Sequence, residues 1–535
     1  MKRKLLLLAM FLGLQYAAVA QTKKVSGKVI DATTKQPLAG VSITVSDTKQ
    51  GTSTNAEGAF TLNAPSDAKT ILLTFVGYQD QIVELTGKPL QIGLLVDNKD
   101  LNEVVVVGYG TQRKKDLTGA VTSIGSKDVG GRQTLQVSEA LQGSVGGVSV
   151  TRSSSTPGSG SSISIRGITT IGTNSPLIIV DGVPVSNIDN VNPNDVENIT
   201  VLKDAASAAI YGSRGAAGVI LVTTKRAKEG QSSLEYNYEY GVQRATALPE
   251  YAGVQDYMRY FNEQATNDGA STGPFPQASI DKYLENNLAD PDKFPNTNWQ
   301  ETVMTNKSAP RQRHDLVFTM GTDKIKTKAS LGYSDAGAFY DNRSYNRYLF
   351  RINNDLQLNS KMNINLDVAY KRTTNKGNGN ELNNSYNPIY EARIMPPIYD
   401  DFYSNGLLAF GKDGRNPIAQ INEGGFSKTL ANQISGRIMF NYKPIQGLTL
   451  TMQVAPTFDL DKDKYFSKQI KFTNADGSIS TIVNQPKTIL SEGRNEAFSV
   501  NGQLLANYTR EIAKDHTIDV LVGYEENYRS LESLG

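Results

Sequence analysis

Residues able to do chemistry are sparse in this chain, and their spacing argues against catalysis. Of 535 residues none is cysteine and two are histidine, His314 and His516. A thiolate nucleophile, a thiolate zinc site, a disulfide framework and a lipid-anchored N-terminal Cys therefore have no residue to build on. Asp459, Asp461 and Asp463 are spaced like the start of a calcium loop. Lys464 stands where that loop needs glycine and Ile470 where it needs a bidentate Glu, so the triplet reads as a solvated strand end. Gly108-Tyr109-Gly110 after a Val run imitates a dinucleotide fingerprint. Arg113 takes the third glycine's place, which would hold backbone and pyrophosphate apart. His314, between Arg313 and Asp315, reads as a strand-end residue. With no carboxylate pair and no nucleophile–base set in a defined domain, the chain is expected to be no enzyme and to use no cofactor or metal.

The bulk numbers exclude further classes. A net charge of +2, from 55 basic and 53 acidic residues, gives no electrostatic reason to expect nucleic acid. Charged residues at 20% and hydrophobic ones at 39% fit neither a disordered tail nor a helical membrane protein. Tyr (25) outnumbers Phe (17) while Trp occurs once, a balance suited to surfaces apolar on one side and wet on the other. Residues 1–20 carry a basic start (Lys2, Arg3, Lys4), an apolar stretch from Leu5 to Leu14, and Ala18 and Ala20 as small residues before a cleavage point. This reads as an export signal cut between Ala20 and Gln21. Its apolar run is short of the ~20 residues of a spanning helix. No later run of eighteen apolar residues occurs, so a membrane crossing has to be made by strands.

Three zones follow that must position whatever the chain does. Residues 24–98 hold short alternating runs, Val25 to Ile30, Val41 to Val45, Gly58 to Leu62 and Ile71 to Phe75, between turn residues; they predict a small β-sandwich. Residues 99–230 are rich in Gly and Ser with mixed α/β character. Here Ser138 to Leu141 predicts a Ser-capped helix and Leu177 to Val180 a buried strand ending in an Asp181-Gly182 turn. Asp204 is expected to cap a run ending at Tyr211 and Gly212, and Val219 to Thr224 to form a further strand. Residues 231–535 contain nine segments of strict period-two alternation. In one, Leu234, Tyr236, Tyr238, Tyr240 and Val242 share a face; in another, Met362, Ile364, Leu366, Val368 and Tyr370 do. A soluble sandwich also alternates. Segments of about ten residues, and connections alternating long and short, point instead to a transmembrane barrel. The connections 243–313, 335–344, 372–434 and 456–497 are expected outside, with Asn378 accessible there, and 322–325, 358–360, 444–447 and 510–516 inside. The fold class expected is mainly β: sandwich, α/β domain, then an incomplete antiparallel barrel. Nine is odd where single-chain bacterial barrels are even, so the chain is expected to be part of a longer one.

Several strings carry a family resemblance. Gly27-Lys28-Val29, Pro37 to Val41, Asn55 to Phe60 and Gly77-Tyr78 resemble a carboxypeptidase-regulatory-like domain, an accessory fold without catalytic residues. Leu101 to Thr111 (LNEVVVVGYGT), Lys114 to Val121, Leu141-Gln142-Gly143, Ile165-Arg166-Gly167, Pro176 to Pro184 (PLIIVDGVP) and Asp204 to Lys225 (DAASAAIYGSRGAAGVILVTTK) resemble the SusC/RagA-like TonB-dependent outer-membrane transporters. The resemblance implies a signal at 1–20, the accessory domain at 24–98, a TonB-box region at 99–112, a plug at 113–230 and the first barrel strands at 231–535. Glu103, Val104, Val105, Val106 and Val107 would be the TonB box. On the residues alone this Val run serves equally as a buried strand; as a box, it would add to another protein's sheet edge. Arg166, Asp181, Asp204, Tyr211 and Arg214 would be plug signature residues, with Arg166 and Arg214 expected as ion-pair partners in the plug, or else as substrate contacts.

The same resemblance implies import of an oligosaccharide or peptide across the outer membrane, the barrel sitting in outer-membrane lipid and the N-terminal domain in the periplasm. It also implies a TonB–ExbB–ExbD complex as the energy source and a SusD-like surface lipoprotein as lid. Without energy coupling, the alternative is a passive porin or adhesin.

Overall fold

The structure is a computed structural model. It describes residues 22–535 apart from 46–49, 67, 76–77, 96–103, 108–109, 114–120, 153, 155, 169–170, 380–386, 474–477, 482–486 and 513–515. Ala20, Gln21 and Glu103 thus lie outside the described residues. The chain divides into two compact units, Met1–Thr118 and Gly119–Gly535.

In the first unit the short alternating runs become β1 (Thr22–Asp31), β2 (Ser42–Val45), β3 (Gly51–Ser53), β4 (Ala59–Pro65), β5 (Thr70–Thr74), β6 (Gln81–Glu84) and β7 (Leu90–Leu94). They form two sheets, ordered β4-β1-β7 and β3-β2-β5-β6. Alternate side chains of β1, β2 and β5 enter the shared core: Val25 and Val29 from β1, Ile43 and Val45 from β2, Ile71 and Leu73 from β5. Glycine is required at Gly27, where a Cβ would come within 2.5 Å of the Leu90 carbonyl oxygen. The Val run forms β8 (Val104–Val107), paired antiparallel with β9 (Gly110–Arg113), Val105 opposite Gln112.

The second unit begins with β10 (Val121–Gly125), β11 (Val148–Arg152), β12 (Ser161–Ile165), β13 (Leu177–Val180), β14 (Val183–Val185), β15 (Val196–Leu202) and β16 (Val219–Thr224). Five of these make a sheet ordered β10-β15-β16-β13-β14, with β13 and β16 parallel. β13 and β16 read as near-continuous apolar runs because their sheet is packed into one core with Val137, Leu141, Ile188 and Val196. Asp204 caps the helix Ala205–Ala208 by accepting from Ser207 N–H at 2.8 Å. Gly212, at φ 59° and ψ −146°, kinks the turn that follows. The Ser cap expected at Ser138 does not form. Helix Val137–Ala140 starts one residue earlier, and Ser138 N–H and Oγ both donate to the Asp189 carboxylate, each at 2.8 Å.

The nine alternating segments are nine strands of one antiparallel sheet: β17 (Ser232–Gln243), β18 (Ala309–Gly321), β19 (Ile325–Gly337), β20 (Ser344–Asn359), β21 (Met362–Gly377), β22 (Gly425–Tyr442), β23 (Leu448–Ser467), β26 (Ile489–Ile512) and β27 (His516–Leu534), neighbours in that order. Between β23 and β26 lies a small hairpin, β24 (Lys471–Thr473) and β25 (Ile479–Thr481). Strands run from 12 to 24 residues rather than about ten. A tilted strand needs ~9–11 residues to cross hydrocarbon, so these continue beyond it. The loop expected at 456–497 shrinks to 468–488 for this reason. The connections 244–308, 338–343, 378–424 and 468–488 are each longer than any of 322–324, 360–361, 443–447 and 513–515.

One sheet face is apolar and exposed, with Leu234, Tyr236, Leu316, Phe318, Leu331, Phe350, Ile438 and Met452; the other buries Arg313, Asp315, Lys328, Arg347, Asp367 and Arg437. Two expectations fail at this level. His314 lies mid-strand on the apolar face, its Nδ1 at 2.7 Å from Tyr236 Oη and its ring 4.7 Å from that of Tyr238. Asn378, expected accessible, is 0% exposed.

Candidate functional site where the plug meets the sheet

The buried charges of the sheet mark the site, because a charge survives burial only when it is paired and hydrogen-bonded. Each meets a group from residues 119–230. Arg226, just after β16, donates through Nη1 to Asp355 Oδ1 at 2.5 Å and through Nη2 to Asp367 Oδ2 at 2.6 Å. Arg437 of β22 reaches the same Asp367 oxygen through Nε at 2.7 Å and also donates to the Asp181 carbonyl at 2.6 Å.

Asp181 and Gly182 form the two-residue turn between β13 and β14, both with positive φ (49° and 86°). An Asp-Gly pair suits that turn, since Asp tolerates and Gly freely adopts the left-handed region. The turn aims the Asp181 carboxylate at Thr224, which donates N–H at 2.9 Å and Oγ1–H at 2.7 Å, with the Arg351 guanidinium at 3.7 Å. Burial alone would push this carboxyl up, but Arg437, Arg351 and Arg226 outweigh it and hold Asp181 below the usual carboxylate range. Burial likewise opposes the charge of Arg226; Asp367, Asp181 and Asp355 overcome it and keep the guanidinium ionised.

A second cluster lies along β18 to β20. Asn192 and Asn194, in the turn before β15, donate to the two oxygens of Asp315 at 2.5 and 2.7 Å. Arg313 packs 3.1 Å from Asp315, pairs with Glu239 at 2.5 Å and donates to the Thr134 carbonyl; its side chain and that of Asp315 are both 2% exposed. Asp195 accepts from Lys328 Nζ at 2.5 Å and Ser330 Oγ at 2.6 Å. Arg347 donates to the carbonyls of Asp189 and Leu135. Burial pushes the Asp189 carboxyl up, against the hydrogen bonds from Ser138.

Of the residues singled out by sequence, Asp181 sits at the centre of this contact. Arg214 reaches the sheet, pairing with Glu525 of β27 at 3.0 Å while 42% exposed. Asp204 and the buried Tyr211 serve the fold of the inner domain. Arg166, expected as an ion-pair partner or else as a substrate contact, occupies an exposed left-handed turn (φ 57°) and forms no ion pair among the described residues. Sequence reasoning missed Arg226, Asp367 and Arg437; charged residues at alternate strand positions opposite an apolar face were the available signal. Asp459, Asp461 and Asp463 alternate along β23, and among the described residues no group of three or more acidic or histidine side chains could hold a metal ion.

The arrangement can hold two parts of one chain together in water. Its contacts are hydrogen bonds and ion pairs, which water can replace on separation, whereas separating an apolar interface costs in proportion to area.

Comparison with known proteins identifies the parts. Residues 113–219 match the TonB-dependent Receptor Plug Domain and residues 25–106 the CarboxypepD_reg-like domain. The chain is 32% identical to TonB-dependent receptor P26 of Formosa agariphila over 501 residues, 91% of this chain and 47% of that one. It is 33% identical to TonB-dependent receptor SusC of Bacteroides thetaiotaomicron over 370 residues, 66% of this chain and 34% of that one. Among solved structures, the RagAB peptide importer in its open-open state matches with a TM-score of 0.63 at 23% identity, over 81% of this chain and 50% of that one. The chain spans about half the length, or less, of the curated relatives it matches. The two matched domains and the relatives at 32% and 33% identity place it in one family: this chain belongs to the SusC-like TonB-dependent receptors.

Proposed function

We propose that the chain is the accessory domain (24–98), TonB-box region (99–112), plug (113–230) and first barrel strands (231–535) of an active importer that carries a nutrient across the outer membrane. The observation that carries this reading is the polar seat of the plug, with Arg226, Asp367 and Arg437 at its centre. A permanent plug would be held best by apolar packing; one that moves during each import event needs a contact that is specific when dry and easily rehydrated. The apolar outer face would rest in outer-membrane lipid, the long connections would face outside and the sandwich the periplasm.

Energy would come from a TonB–ExbB–ExbD complex, with the segment Glu103 to Val107 as the TonB box that adds to a partner's sheet. A SusD-like surface lipoprotein would act as lid over the long loops, and the cargo would be an oligosaccharide or a peptide. Growth of a deletion strain on a panel of glycans and peptides tests the reading, with the complete gene restored as wild type or as Val105→Pro. Growth on one nutrient class restored by wild type alone is the expected result. Equal rescue by both would favour a passive porin and reject energy coupling through this segment.

A further inference from the structure

The outward face of the sheet carries a feature the import reading does not use. Tyr238, His314, Tyr333 and Tyr348 stand directly opposite one another on β17 to β20, with ring centroids 4.7, 6.0 and 4.9 Å apart. An aromatic row of this kind on a lipid-facing surface marks the level of the headgroups. Its next member on β21 is Arg372, opposite Tyr348. Beyond it, toward the long loops, the outward positions turn basic: Lys376 on β21 stands opposite Lys428 on β22, and Lys428 opposite Lys464 on β23. Lys462 and Arg494, also opposite one another, extend the patch.

Two pairs in this patch are closed internally, Lys464 with Glu492 at 2.6 Å and Arg494 with Glu496. Arg372, Lys376, Lys428 and Lys462 are exposed and take part in no ion pair among the described residues. Like charges directly opposite on adjacent strands repel one another. Cations that only needed to reach water from a membrane edge could be staggered; these share a row. Immediately below them is a groove of about 610 Å³, with Tyr348, Phe350 and Tyr370 at its apolar end and Arg372, Lys376 and Lys428 at its other.

From this we infer that the outward face of β20 to β22 is a docking surface for a phosphorylated acyl glycolipid of the outer leaflet. The phosphate lies between Lys376, Lys428 and Arg372, and an acyl chain runs down over the tyrosines. Charge complementarity supplies the anion, and continuity with the apolar face supplies the acyl chain. The assignment of this end of the strands to the outer leaflet rests on the orientation proposed above.

The test uses the full-length protein purified in mild detergent and native mass spectrometry of retained lipid. The probes are lipid A, its enzymatically dephosphorylated form, and inorganic phosphate. Wild type is expected to retain lipid A at least about tenfold better than the dephosphorylated form, a cation near a membrane surface contributing roughly fivefold in affinity. Arg372→Gln/Lys376→Gln/Lys428→Gln should lose that preference, while Lys361→Gln/Lys443→Gln, at the other end of the strands, should keep it. The triple variant keeps the side-chain stems and removes repulsion, so its unfolding midpoint without lipid should hold or rise. Equal retention by wild type and triple variant, equal retention of the dephosphorylated lipid, or displacement by millimolar phosphate would each overturn the proposal. Nutrient import is read separately: lipid preference in a protein that imports nothing upholds this surface and rejects the import reading.

Discussion

Arg226 of the plug and Asp367 of the sheet meet at 2.6 Å on an oxygen that Arg437 also holds, at 2.7 Å. One carboxylate thus bridges two guanidiniums from separate parts of the chain, Asp355 supplying the second negative charge. Removing it should be worse than removing either arginine. Asp367→Ala leaves Arg437 buried without a carboxylate and Arg226 with Asp355 alone, a loss of about 3–5 kcal/mol for a broken buried pair. The expected readout is faster hydrogen exchange in Val219–Thr224 and earlier proteolysis of the plug, with the outer sheet still folded. Unchanged exchange would show that the plug is seated by other contacts.

The Asp181 carboxyl gives this seat a pH dependence. Its folded-state value lies below the ordinary 3.8, so its contribution is complete above that value and is lost as pH falls through the lowered one. The plug should therefore stay seated at neutral and mildly acidic pH and loosen only under stronger acid. Asp181→Asn keeps the turn and removes the charge facing Arg351. It should weaken plug protection by about 1–3 kcal/mol and flatten that acid limb. An acid limb of the same size in the variant would assign it to another carboxylate.

The loops on the long-connection side should respond in the opposite sense. Burial, then the charges of Asp292 and Asp401, push the Asp400 carboxyl up to about 7, against a hydrogen bond from Thr297. A raised carboxyl favours the folded loop while protonated, and that support fades as pH climbs from the ordinary carboxylate value through about 7. Hydrogen-exchange protection across residues 292–297 and 399–404, corrected for the intrinsic rise of exchange with pH, should be higher at pH 5.5 than at pH 8. Asp400→Asn should hold protection high at both; equal protection in wild type would remove Asp400 from the account.

For the proposed TonB box, Val105→Pro is the sharpest change. Val105 pairs with Gln112 in the β8–β9 hairpin, so proline breaks this pairing as well as any strand addition to a partner. The expected outcome in the complete protein is loss of nutrient-dependent growth, with outer-membrane abundance and surface binding of nutrient near normal. A fall in abundance would favour a strand needed for folding, and full growth would reject residues 103–107 as the coupling site.

Orientation can be read by cysteine labelling, since the chain has no cysteine of its own. Lys412→Cys, exposed in the 378–424 connection, should react with an impermeant reagent on intact cells, and Asn55→Cys should not. Asn378→Cys should stay dark, because that side chain is fully buried. Reaction at position 55 alone would invert the topology.

Much of the architecture was legible because period two leaves no ambiguity about faces. Leu234, Tyr236 and Tyr238 could share only one side of a strand, and the Asp181-Gly182 pair could make only a tight turn. The ends of strands were not legible: β23 and β26 continue past the apolar stretch as polar pairs, such as Lys462 opposite Arg494, that look like loop in a sequence. The seat was half visible. Alternation puts Asp367 opposite the apolar face of Met362 to Tyr370, but a partner at Arg226, 141 residues earlier, leaves no local trace. Ser138 misled for a related reason, its hydroxyl being claimed by Asp189, 51 residues on.

The place of β10 in the plug sheet sets how the domain bears load. It is the first strand of the second unit and an edge of its sheet, bound to β15 alone through the five pairs from Val121–Leu202 to Gly125–Asn198. β16, by contrast, is gripped on both sides and leads straight into Arg226. A pull applied on the N-terminal side of this domain would therefore load β10 before the strands that anchor the domain. Under such a pull the plug would yield first at its N-terminal edge, with its moorings to the wall still in place.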